Sequence, residues 1–358
     1  NPEYVFQDPG SPTDFGNTGK CAHCHRSINE EWYGSPHRAS ASNPVVQDLY
    51  AGVAAALDGQ GTCEAGGGQW RAGIDPATGE VAQRCYVGIG ALPDLNLNCG
   101  ETESCDGVAT QFGDCADCHA PAIDGEVGSR DLLEAGGLAG ENSAEGDRAY
   151  EYGVHCDLCH KVSDIHLDEK PGVGGRLEIT RPLEELAGAV GPWRPLTFAP
   201  YDDVSHVKMG SVPRPHFTGA TICAGCHELS EAPRLPGASI DETRWPTGEL
   251  PMHTTYTEWL AGPLGGVTPC QACHMPPDPD AGNGADLARL ELDPGLVPGW
   301  ERPPGAVRSH TFDGPMDGAG ELLRLAAALD LVTQVDGGTL TATATVTNTA
   351  PIANAGGP

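Results

Sequence analysis

The sequence predicts a mostly irregular chain with short α-helices, wrapped around large groups that are not side chains, and ending in a small C-terminal β-hairpin. Three observations predict it. Gly (49) and Pro (31) make up about 22% of the 358 residues and aromatics only 6%, so apolar side-chain mass is short and the composition approaches that of disordered sequences. The fourteen cysteines must be disulfides, metal ligands or attachment points. A period-two pattern near the C-terminus, interrupted by a glycine pair, is a hairpin signal.

Length alone accommodates two or three ordinary domains. The net charge is −30 and no basic cluster occurs, which excludes nucleic acid as a partner. The acidity is read first as solubility, and second as selection for basic partners or compensation of bound positive charge. No run of about 18 apolar residues occurs, so no membrane span is expected. The chain opens on Asn1-Pro2-Glu3 without a secretory leader, which is read as the start of a mature, processed protein.

The decisive pattern is C-x-x-C-H. It occurs five times, as Cys21/Cys24/His25, Cys115/Cys118/His119, Cys156/Cys159/His160, Cys223/Cys226/His227 and Cys270/Cys273/His274. Two thiols three positions apart lie on one side of a helical turn and can form thioethers to two haem vinyl groups. The following His then points at the iron from the proximal face. Short helices are therefore expected to begin at the motifs. Zinc sites need two such pairs, or one pair with two more ligands, in regular register. The irregular gaps do not supply that, and they do not match a ferredoxin run. Five haem c groups also account for the composition, since flat apolar porphyrins replace the missing core and a loop-rich chain can wrap them.

Five of thirteen histidines are proximal by this reading, and only four methionines exist, so general His/Met ligation is excluded. The distal candidates are His37, twelve positions after His25; His155, directly before Cys156; His310, at loop distance after the last motif; and His206. His216 and His253 compete for what remains. His23, inside the first motif, either serves a neighbouring haem or faces solvent, the second being preferred, and His166, between Asp164 and Asp168, is read as solvent-facing.

Cys63, Cys85, Cys99 and Cys105 fall between the first two motifs. Two disulfides are expected in an exported chain, and three connectivities are open. The sequential one, Cys63–Cys85 and Cys99–Cys105, closes short local loops; a zinc site is the alternative. Residues 58–110 thus read as a stapled insert within a pentahaem domain spanning 1–315. Residues 171–205 read as a Pro/Gly linker, and 255–260 as a helix packed on the fifth haem. In the irregular stretch 277–305, Asp278, Asp280, Asn283 and Asp286 form an oxygen-rich loop that suits Ca²⁺ but misses the EF-hand spacing. Residues 322–335 and 340–347 flank Gly337-Gly338 and form the hairpin of a tail at 320–358. A lone hairpin is marginal, so it must pack on the haem domain, join another chain, or begin a larger β domain.

Trp32 with Ser35-Pro36-His37, Val154-His155-Cys156-Asp157-Leu158-Cys159-His160-Lys161-Val162, Thr255-Tyr256-Thr257-Glu258-Trp259 and Cys270-Gln271-Ala272-Cys273-His274-Met275-Pro276 resemble multihaem cytochromes c. The class includes the tetrahaem cytochrome of ammonia oxidisers and hydroxylamine-oxidoreductase-like proteins, and the resemblance covers about residues 15–315. It implies bis-His, low-potential haems stacked into a continuous chain, with His37, His155, His206 and His310 as distal ligands. The insert departs from the pattern. The segment Ala350-Pro351-Ile352-Ala353-Asn354-Ala355-Gly356 resembles the opening of polycystic-kidney-type β-sandwich repeats. Filament-forming extracellular cytochromes share the loop-rich build.

The function expected is electron transfer by an exported protein, as a periplasmic or surface shuttle or as an extracellular filament subunit. Its partners would be redox proteins, extracellular acceptors or further copies of the chain. The alternative is a redox enzyme acting on nitrogen oxides or hydroxylamine, which needs one haem with an open position. Pentahaem nitrite reductases are similar in haem count but use Lys in place of one motif His, and no C-x-x-C-K occurs here.

Overall fold

The computed structural model describes residues 6–17, 19–43, 45–46, 53–55, 59–66, 68–75, 78, 80–87, 117–121, 148, 151–173, 175–186, 193–202, 208–231, 240–285, 302–314, 324 and 326–349. Cys99, Cys105, Cys115, His206 and Asp286 lie outside the described residues.

The chain begins with turns pinned by Lys20, which bridges Asp14 (2.9 Å) and Asp8 (3.4 Å). A 3-10 turn at Cys21–His23 leads into α1 (Arg26–Tyr33). Its inner face carries Asn29, whose amide donates to the Pro9 and Gly10 carbonyls, and Trp32, whose indole N–H donates to Val154 O at 2.8 Å. These bonds satisfy buried polar groups that would otherwise be costly. They also dock the first motif against the residues leading into the third.

The insert is a small antiparallel sheet of β1 (Val53–Ala55), β2 (Gln69–Ile74) and β3 (Val81–Val87) in the order β1-β3-β2. A short helix, α2 (Gln60–Ala65), lies against it. The expected Cys63–Cys85 disulfide joins α2 to β3, with both residues buried. The second pairing, Cys99–Cys105, falls outside the described residues.

After α3 (Cys156–Cys159), β4 (Val162–Ile165) pairs antiparallel with β5 (Leu177–Ile179). β6 (Leu183–Glu185), β7 (Trp193–Ala199) and β8 (Gly210–Pro213) form a second sheet in which β7 and β8 run parallel. A 3-10 turn at Pro215–Thr218 then leads to α4 (Thr221–Ala224). Beyond it, β9 (Leu229–Glu231) pairs with β10 (Leu250–His253), followed by α5 (Thr255–Ala261) and α6 (Gln271–His274).

The expected fold class is corrected here. Among the described residues strand outnumbers helix, in five small sheets, so they are not chiefly short helices in irregular coil. The stretch 171–205, read as a linker, carries β5, β6 and β7. The physical reason is length. Strands of three to seven residues are too short for period-two alternation to stand out, yet backbone running between motifs must still pair its N–H and C=O groups.

The apolar core is as small as the composition predicts. Among the described residues, one cluster joins Leu158, Val162, Val173 and Leu177, with Val154, Ile165, Ile179 and Cys226 packed on it. The tail forms the expected hairpin, β11 (Ala327–Asp336) with β12 (Thr339–Asn348), ten pairs in unbroken register. Gly337 and Gly338 both have positive φ (+54° and +82°), as a two-residue primed turn requires. One face carries Leu329, Leu331, Val335, Leu340 and Val346, all exposed, and the other carries the threonines of β12.

Candidate functional site

Each fully described C-x-x-C-H motif closes one helical turn. The His N–H donates to the carbonyl of the first Cys four positions back, at 3.0 Å for His25, 2.9 Å for His160, 2.8 Å for His227 and 3.0 Å for His274. Both thiols and the imidazole therefore project from a single turn, as the spacing predicts.

At the first motif the expected short helix is a 3-10 turn that ends at Cys24, whose N–H donates to Cys21 O three positions back at 3.1 Å, and α1 starts only at Arg26, beyond the motif. Cys159, the counterpart of Cys24 in the third motif, lies within α3. The physical reason is anchoring from outside. Asp8 O and Pro9 O accept from the Cys21 and Ala22 N–H groups at 3.1 and 2.9 Å, and Phe15 O holds the His23 ring, which fixes a tight turn of the kind that short 3-10 pieces supply. Cys21 and Cys24 are both half-buried and outside any disulfide, and Cys273, in the fifth motif, is an exposed thiol.

The imidazoles are oriented from outside the motifs. His25 Nδ1 meets Gly284 O at 2.7 Å, His119 Nδ1 meets Ser40 O at 3.3 Å and His160 Nδ1 meets Phe198 O at 2.9 Å. His274 Nδ1 meets Asp313 O. A carbonyl only accepts, so it assigns the proton to Nδ1 and the lone pair to Nε2. That tautomer is the one a metal-ligating histidine adopts, with a carbonyl fixing ring orientation and raising basicity. His227 differs, since its Nδ1 lies 3.2 Å from His253 Nε2. Burial holds His119, His160 and His227 below the ordinary histidine range, His227 to about 3, which keeps them neutral.

The distal candidates divide clearly. His37 Nδ1 is buried and has no hydrogen-bond partner. Its ring lies 4.1 Å from Phe312 and 6.0 Å from His227, and burial lowers its pKa to about 4. His310 presents Nδ1 to Arg308 O at 2.9 Å, while its main-chain N–H donates to Glu31 at 2.8 Å. Burial, with His160 nearby, lowers it to about 4. His253 faces His227 with ring centroids 4.7 Å apart. His216 is committed through Nε2 to Val162 O at 3.1 Å and packs on Phe217.

His155 behaves otherwise. It is the N-cap of α3, its Nδ1 accepting from Leu158 N–H at 3.1 Å, and its Nε2 donates to Pro121 O at 2.8 Å. Both ring nitrogens are thus used by the chain itself. His23, expected to face solvent, is half-buried and presents Nδ1 to Phe15 O at 2.8 Å. It repeats the carbonyl-oriented arrangement of the motif histidines. His166 is exposed and pairs with Glu178 at 3.3 Å.

The motifs also meet one another through their thiols. Cys156 lies in hydrogen-bonding contact with Cys21, Cys226 with Cys118, and Cys223 with Cys270. In the last pair the contact pushes Cys223 up and draws Cys270 down to about 7. Behind the third motif Lys161 is fully buried, bonded to Leu196 O and lowered by burial to about 8. Arg181 grips the buried Asp157 through two nitrogens at 2.8 and 2.6 Å.

Two thiols on one turn with an Nε2-ligating imidazole fit a c-type haem, and the unpartnered His37 Nδ1 fits a side chain built to ligate. Among the described residues no group of three or more His, Cys, Asp or Glu side chains stands ready to hold a metal ion by itself. In the loop with Asp278 and Asn283, the side-chain oxygens accept from nearby main-chain N–H groups. No helix among the described residues is long and apolar enough to cross a membrane. No protein-family model, curated protein or solved structure matches the chain.

Proposed function

We propose that this chain is an exported electron carrier that binds five haem c groups at its five C-x-x-C-H motifs. The observation that carries the reading is the orientation of the motif imidazoles. Four of the five present Nδ1 to a main-chain carbonyl, which prepares Nε2 for iron. A haem held there would supply a reversible one-electron couple. The chain's own residues attach, orient and bury the group and set its axial ligands. Cys21 and Cys24 are the attachment pair of the first motif, on a 3-10 turn in place of an α-helical one.

His37 and His310 lead the distal set, the first because its Nδ1 is buried without a partner and the second because Arg308 O orients it. His253, His206 and His216 are the remaining candidates. His155 serves as the helix cap that holds the third motif. The Cys63–Cys85 disulfide favours an oxidising compartment, either periplasmic or at and beyond the cell surface. Partners would be redox proteins or extracellular acceptors.

The test is a pyridine haemochrome titration with low-temperature EPR on protein matured in an exporting, haem-attaching host. Five haems per chain, all low-spin and unaffected by nitrite or hydroxylamine, are expected. Fewer haems, or zinc in their place, refute the reading, and a high-spin haem that binds the additive moves it to a redox enzyme. Electron microscopy separates a single carrier from a filament subunit.

A further inference from the structure

The motifs also neighbour one another out of chain order. The fourth motif meets the second. Gly172 N–H donates to Gly225 O at 2.7 Å and Val173 N–H donates to Asp117 O at 3.1 Å, so one dipeptide clasps both motifs. Gly172 has φ +85°, and a Cβ there would stand 2.6 Å from Asp117 O; only glycine permits this approach. The Cys226 thiol contacts Cys118 across the same clasp.

The fourth motif meets the fifth on its other side. Gln271 Nε2 donates to Gly219 O at 2.7 Å, and the Cys223 thiol contacts Cys270. It meets the third through the apolar cluster, where Leu158 and Val162 share a core with Cys226. Leu177 presses on Gly225, and Phe217, six positions before Cys223, stacks on His160 with centroids 5.6 Å apart and planes 15° apart. The first motif joins through the third, by the Cys21–Cys156 contact and the Trp32 bond to Val154.

We infer that the fourth motif, Cys223–His227, is a junction on which the second, third and fifth motifs converge, with the first reached through the third. Its two cysteines have different neighbours, Cys223 lying beside Cys270 of the fifth motif and Cys226 beside Cys118 of the second. The inference rests on the haem reading above and deepens it, because one site then has three neighbours where a single file allows two. The second and third motifs also touch directly, His155 Nε2 donating to Pro121 O at 2.8 Å, so the first, second and third motifs stay connected without the fourth.

The experiment is diffraction from crystals of the fully haem-loaded protein at the iron absorption edge. Anomalous peaks locate each iron beside its motif histidine without assuming a fold. Five peaks are expected, with those beside His119, His160 and His274 the three nearest to the one beside His227, and the one beside His25 nearest to that beside His160. Five peaks in a single file, or with only two close neighbours at His227, overturn the junction and leave the carrier standing. Absence of iron peaks overturns the haem reading itself, and the junction with it.

Discussion

His155 offers the sharpest discrimination, because two roles predict opposite results for one substitution. As the cap of α3, its Nδ1 accepts from Leu158 N–H, its Nε2 donates to Pro121 O, and its ring meets Phe6 edge-on at 5.0 Å. In His155→Ala both bonds go, at about 1 kcal/mol each, and the buried groups left behind cost about 1–3 kcal/mol apiece. The ring also leaves a cavity, and large-to-small changes in a core cost about 2–5 kcal/mol. These costs overlap, so a loss of about 3–5 kcal/mol is expected. His155→Asn keeps an acceptor at the cap and recovers about 1 kcal/mol. The assay is urea unfolding of the haem-loaded protein with EPR of the folded state. The cap role predicts lowered stability with every haem still low-spin. Native stability with one haem turned high-spin would refute it and return His155 to the distal ligands.

Three further outcomes are expected. Replacing Cys63 and Cys85 by Ser opens a bridge spanning 22 positions, worth about 3 kcal/mol in the chain-entropy model; limited proteolysis is expected to cut within the insert while haem content stays unchanged. Arg181→Leu leaves Asp157, a side chain with no exposure, without its counter-ion and costs about 3–5 kcal/mol, while adding Asp157→Leu restores most of the loss; equilibrium unfolding reads both. Gly153→Ala puts a Cβ 2.5 Å from Ser40 Oγ and 2.7 Å from His37 O at φ +48°, so a backbone cost of about 1–2 kcal/mol is expected, with a displaced His37 and an altered EPR signal for the haem it serves.

Features whose signal is local were legible in the sequence. The i→i−4 turn at each fully described motif, the helix at Thr255–Ala261 and the ten-pair hairpin follow from spacing, propensity and the Gly337-Gly338 turn. The Cys63–Cys85 pairing followed from loop length. The sheets between the third and fourth motifs were not legible, because three- and four-residue strands such as Leu177–Ile179 and Val162–Ile165 carry too little alternation to register. The 3-10 turn that ends at Cys24 was not legible either, because the Asp8, Pro9 and Phe15 carbonyls that anchor it come from a loop outside the motif. His155 beside a Cys reads as a ligand, and its cap bond to Leu158 N–H shows only when one asks what satisfies the first N–H groups of α3. The bond between the His23 ring and Phe15 O has no counterpart in a sequence pattern. Which motifs adjoin is a property of the tertiary fold that motif spacing does not encode.

The composition and the site have one physical cause. A carbonyl inside a helix or a central strand already accepts a backbone N–H, so it is poorly placed to orient an imidazole. The carbonyls that meet the motif histidines come from Gly284, Ser40 and Asp313, all outside helices and strands, and from Phe198 on β7. Phe198 lies beyond the residues that β6 pairs, and its N–H in turn donates to His160 O. The partners stand 259, 79, 39 and 38 positions from their histidines, so the chain must return repeatedly to motifs it has passed. Long helices would consume those carbonyls and prevent the returns. Short strands and Gly/Pro turns leave main-chain acceptors unspent where the imidazoles need them, which is why a chain with so little apolar side-chain mass can still orient four of its motif imidazoles.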